Sequence, residues 1–168
     1  MKFLLVHLLP LLLVGCVSAN PNITKELAGA IPKGANTATL HTNLAADELG
    51  ELIQTELMRR GLERQSDDSP RSFSTSFALA HQDTELRIMT SVAPGPESGS
   101  VATITGEWRL TAEFANFLHR KFGTPQEQKI FPAEWTRGRP AIAFGEVAEI
   151  AQEMLQAIPD IKVQFSRN

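Results

Sequence analysis

The sequence predicts an α+β fold, a two-layer α/β sandwich with a largely antiparallel sheet and its helices on one face. Three runs between residues 73 and 110 alternate apolar and polar with a period of two, the pattern of half-buried antiparallel strands. Two other segments, 45–60 and the stretch that ends at Pro159, carry apolar residues at helical spacing instead. The chain has 168 residues, 42% hydrophobic and 21% charged, so a single folded domain is expected.

The elements follow in order. Residues 37–42 have the β-branched content of a strand, and Asn43 is placed to cap the helix after it. In that helix, 45–60, Leu49, Leu52, Ile53 and Leu57 form one stripe, Asp47 and Glu48 sit at the positive end, and Arg59-Arg60-Gly61 close the negative end. A polar loop, 65–71, leads into the three alternating runs. Phe73, Thr75, Phe77 and Leu79 are expected on one face of the first, Leu86, Ile88, Thr90 and Val92 on one face of the second, and Ala102, Ile104, Trp108 and Leu110 on one face of the third. His81-Gln82-Asp83 reads as a tight turn, and 93–100, with Pro94, Gly95, Pro96 and Gly99, as a longer loop.

Thr111 can cap a short helix through Phe122 that Gly123 ends, and 124–140 reads as an ordered loop. Val147, Ile150, Ala151, Met154, Leu155 and Ile158 make the stripe of the last helix, Pro159 stops it, and Ile161, Val163 and Phe165 alternate as a final strand. The predicted order is β-α-β-β-β-(α)-α-β. Leu49-Gly50-Glu51-Leu52 and Phe144-Gly145-Glu146-Val147 look alike, which fits two helices docking on one sheet through small residues.

Ahead of the domain, Met1-Lys2 precedes an apolar run from Phe3 to Val14, then Gly15-Cys16, the layout of a secretory signal peptide. As a helix that run covers about 18 Å, short of a bilayer core of about 30 Å. The segment Leu13-Val14-Gly15-Cys16 resembles the lipobox of bacterial lipoproteins, in which the cysteine is acylated and becomes the new N-terminus. The resemblance implies a signal peptide over 1–15, lipidation at Cys16 and a membrane partner through that anchor. Because Val17 rather than Asp follows the cysteine, it also implies sorting to the outer membrane, where the domain is expected to face the periplasm. A second pattern, Val17-Ser18-Ala19 before Asn20, satisfies the small-residue rule of an ordinary secreted protein, with Asn22-Ile23-Thr24 then a glycosylation sequon in a eukaryotic host. A buried cysteine in a retained helix is the third option. Cys16 is the only cysteine, which favours the lipobox over a disulfide-bearing secreted chain. Residues 16–36 read as a lipidated N-terminus and flexible tether, with a turn of helix near 24–30, that reaches about 66 Å when extended. Residues 37–168 form the domain.

Little of the sequence points to chemistry. With 16 Lys+Arg against 19 Asp+Glu the net charge is -3, which excludes the basic footprint of a nucleic-acid binder. His41, His81 and His119 have no metal-ligand spacing, and no nucleophile elbow, phosphate loop or His-Glu-x-x-His occurs. The acids Asp83, Glu85, Glu107 and Glu113 fall on polar faces or in turns, where carboxylates are solvated. No catalytic residue, metal or cofactor is assigned. The unusual cluster is 131–140, in which Phe131, Trp135, Arg137 and Arg139 are the side-chain types that anchor interfaces and Pro132 and Pro140 limit the entropy lost on docking. It is a candidate partner-contact loop; alternatively Phe131 and Trp135 cover the core while the arginines are solvated or pair with nearby acids.

The expected function is a lipid-anchored, non-enzymatic adaptor or stabilising factor for an envelope complex, of the kind found in outer-membrane assembly, conjugation and secretion. That expectation rests on layout alone. The alternative is a binding module for a small ligand, lipid or peptidoglycan fragment.

Overall fold

The computed structural model describes residues 22–65, 69, 71–96, 99–124 and 128–168. Its elements are α1 (Lys25–Ala30), β1 (Thr37–Thr42), α2 (Ala46–Arg59), β2 (Ser72–Ser74), β3 (Ala78–His81), β4 (Thr84–Pro94), β5 (Ser100–Leu110), α3 (Ala112–Phe122), β6 (Phe131–Pro132), α4 (Arg139–Ala157) and β7 (Lys162–Ser166). The seven strands form one sheet in the order β2-β4-β5-β1-β7, with β3 also paired to β4 and β6 to β5. All six strand pairings are antiparallel, and α2 and α4 pack on one face, so the chain is an α+β sandwich.

The core lies between that face and the two helices. Leu49, Ile53 and Leu57 of α2 and Phe144, Val147, Ile150 and Ala151 of α4 meet Leu40, Leu86, Ile88, Ala102 and Ile104 of the sheet. Gly106 lets the layers close. A Cβ there would stand 3.1 Å from both Ala133 Cβ and Val147 Cγ2. Among the described residues, every buried hydrophobic one lies between Ile23 and Phe165.

Several expectations need correction. The first alternating run is two strands, not one. Thr75 is fully buried, its N–H donates to Ile88 O and its Oγ1 accepts from Ile88 N, while Ser76 N–H turns aside to Glu63 O. The chain re-enters the sheet one position out of step at Ala78, opposite Leu86, and a one-residue slip exchanges the faces. Leu79 therefore faces away from the core and is 67% exposed. The last helix starts at Arg139, inside the segment expected to be loop, because proline is favoured in a first helical turn and Pro140 stands there. Its Leu155, like Leu52 of α2, is exposed rather than part of the packed stripe. Asn43 does not cap α2, whose N-cap is Ala45.

The described part of the expected tether, residues 22–36, is packed. Ile23, Ile31 and Ala35 are buried, Thr24 Oγ1 caps α1, and Gln152 of α4 donates to Asn22 O at 2.9 Å and accepts from Thr24 N at 2.8 Å. The glycines and prolines here predict a linker, but Ile23, Ile31 and Ala35 join the hydrophobic core instead. Cys16 and the signal segment lie outside the described residues.

Candidate contact surfaces

No described element covers the second face of the sheet, and strand register writes its composition. One row across the strands reads Gln164, Thr39, Thr103, Ser91, Ser72, and the next reads Ser166, Thr37, Thr105, Met89, Ser74. Hydroxyl side chains carry both donor and acceptor capacity at little entropic cost, so this surface can bond many partners. The C-terminus closes one corner. Asn168 Nδ2 donates to Thr37 Oγ1 at 3.1 Å, and Asn168 is itself bonded both ways to Asn36. At the other end Glu85 pairs with Arg109 and Arg87 with Glu107, and the ring of Phe77 lies under both guanidinium groups, 4.1 Å from that of Arg109. Strand β7 has β1 on one side and no described strand on the other.

A second surface is built on α3 and β6. Thr111 caps α3 by accepting from Phe114 N at 3.3 Å, and Gly123, at φ 66°, ends it with a bond to His119 O. Both ends are thus set locally. The helix nonetheless buries none of its residues. Of the eight large apolar side chains exposed on the described molecule, four fall here: Phe117 (42%), Phe122 (64%), Ile130 (48%) and Phe131 (41%). Lys121 Nζ stands 5.4 Å from the Phe117 ring centre and 5.6 Å from that of Phe122. Arg120 and Lys129 are exposed beside them. Contacts at its margins hold the surface to the body: Phe131 stacks on Trp108 at 5.0 Å, Arg139 lies 5.0 Å over Phe114, and Thr111 N–H donates to Asp83 O. A groove of about 240 Å³, walled by Leu110, Ala115, Leu118 and Phe131, separates the helix from β6.

The residues expected to form a contact loop separate. Phe131 is exposed on Trp108, and Arg137 is exposed. Trp135 is half-buried against Phe144, ring centres 6.3 Å apart, and exchanges backbone hydrogen bonds with Gly34 and Ala35. Arg139 opens α4 and pairs with Asp83. The histidines stand apart: His41 on β1, His81 ending β3, and His119 on α3 with Nδ1 2.6 Å from Thr124 O. Asp83, Glu85 and Glu107 are each paired with an arginine, and Arg139 with Thr84 holds the Asp83 carboxyl below its ordinary range. Among the described residues, no group of three or more His, Cys, Asp and Glu is arranged to hold a metal.

Sequence reading missed the densest charge cluster. Arg60, after the end of α2, reaches Glu56 at 2.5 Å, Glu149 at 2.8 Å and Glu146 at 3.4 Å, and Arg59 takes the other side of Glu56. Glu56 and Glu149 are buried. Burial works to raise the Glu56 pKa, but hydrogen bonds from Arg59 and Arg60 outweigh it and hold the carboxyl below its ordinary range. The arrangement clamps α2 to α4. Its signal in the sequence was two glutamates within a turn of the packed stripes.

No protein-family model matches the chain, and no curated protein matches it.

Proposed function

We propose that this chain is a bacterial envelope lipoprotein, exported and held at the outer membrane through Cys16 with its domain facing the periplasm. It works as a non-enzymatic adaptor or stabilising factor for a membrane, secretion or conjugation complex. One observation supports the reading: among the described residues nothing covers two surfaces with no residue in common, the hydroxyl rows of the sheet and the aromatic surface of α3 and β6. An adaptor has to hold two things at once. The sheet face, with a β7 edge that no described strand pairs, suits a protein partner, because main-chain groups at an edge can pair with an added strand.

The test is affinity capture from detergent-solubilised native membranes, read by mass spectrometry. Wild type is expected to bring down one envelope protein in stoichiometric amount, Cys16→Ser to lose most of it, and Thr39→Arg/Thr103→Arg to lose it while remaining anchored. Recovery of the chain alone from wild-type membranes sinks the adaptor reading and favours the small-ligand module.

A further inference from the structure

We infer that the exposed end of α3 seats on an anionic lipid bilayer, with Phe117 and Phe122, on either side of Lys121, entering the boundary between headgroups and acyl chains. The inference rests on the anchored reading and adds the orientation of the domain. Its first support is composition. Over 112–131 the cationic side chains Arg120, Lys121 and Lys129 stand against two acids, Glu113 and Glu127, in a chain whose net charge is -3. Glu113 is in the first turn of α3, about 13 Å along the axis from Phe122, and from Phe117 to Phe131 three cations stand against Glu127 alone. Exposed phenylalanine and isoleucine interleaved with lysine is the chemistry of an interfacial helix, in which the apolar groups sink and the ammonium groups reach back to lipid phosphates. Protein interfaces select against lysine at their centre, whereas Lys121 lies between the two most prominent rings of this surface.

The second support is reach. Because Asn22 is bonded to Gln152 on α4, residues 17–21 are all that separate the packed domain from Cys16. Fully extended, the chain from Cys16 to Asn22 spans no more than about 20 Å. The expected tether of about 66 Å would have let the domain stand clear of the membrane; this one keeps the bilayer within a domain's width of α4. At such confinement a weak surface affinity is enough to hold the domain down.

The experiment uses residues 22–168, which contain every described core residue and lack the anchor. Flotation with vesicles of phosphatidylethanolamine and phosphatidylglycerol is compared with phosphatidylcholine alone. The domain is expected to float with the anionic vesicles, and Phe117→Ser/Phe122→Ser and Lys121→Glu/Lys129→Glu each to weaken binding by about tenfold or more. Circular dichroism checks that both variants keep the fold. A domain that stays at the bottom with both lipids, or that binds equally after these changes, overturns the inference. So does a photo-crosslinker at position 122 of the full chain in cells that captures protein and no lipid. Palmitate labelling of wild type against Cys16→Ser tests the anchor separately. Vesicle binding without labelling removes the anchor and leaves the surface, and labelling without vesicle binding removes the surface alone.

Discussion

Helices α3 and α4 are both amphipathic, yet α4 buries nine of its residues and α3 buries none. The packed stripe of α4 is graded in size, with Ala143, Ala148 and Ala151 around Phe144, Val147 and Ile150, so its axis can come close to the sheet where Gly106 has no side chain. The apolar residues of α3 are mostly large, three of them phenylalanine, and a lysine stands among them. An apolar stripe therefore commits a helix to meet something apolar. Whether that is the body of its own domain depends on whether side chains can interlock with what lies beneath.

The sharpest way to break this contrast is to remove the centre of the α4 contact. Phe144 is fully buried between Trp135 and Phe165, so Phe144→Ala is expected to cost about 3–5 kcal/mol, measured by urea unfolding. A loss below 1 kcal/mol would mean that α4 is held no more firmly than α3.

Arg60→Ala comes next, at about 3 kcal/mol, because it leaves Glu149 buried without its cation while Arg59 still serves Glu56. It also predicts a change with pH. With its pKa lowered in the folded state, Glu56 contributes stability that is complete above the ordinary carboxyl value of 4.5 and is lost as pH falls through the lower folded value. Wild type should therefore lose stability on the acid side of 4.5, and Arg60→Ala should lose less over the same range. Equal slopes in the two proteins would show that the clamp does not titrate.

The smallest effect belongs to α3. Thr111→Ala removes the cap, worth about 1 kcal/mol, from a helix that little else holds. Hydrogen exchange of the α3 amides should accelerate while the global unfolding midpoint barely moves. A matching fall in global stability would show that α3 is part of the cooperative core after all.

Cys16 and Phe131 stand out in the sequence because a resemblance to a lipobox and an aromatic beside proline are both local patterns. Phe117 and Phe122 lie in a helix whose start, at Thr111, and end, at Gly123, are both signalled locally, but periodicity does not say which of several stripes goes unpaired. Trp135 and Arg139 carry the same local pattern, which leaves them either interface anchors or groups taken up by the core and by nearby acids. Only the positions of Phe144 and Asp83, distant in sequence, showed them occupied inside the domain.

By itself the sequence determined the kind of each principal element, since strand alternation, helical stripes, caps and turn residues act within a few positions along the chain. Tertiary structure alone decided the slip after Thr75 that turned Leu79 outward, the packing of residues 22–36 onto the core, the partners of Arg60 and the exposure of α3. Each of these depends on which distant side chains compete for the same space and hydrogen bonds, and that competition exists only once the layers have closed.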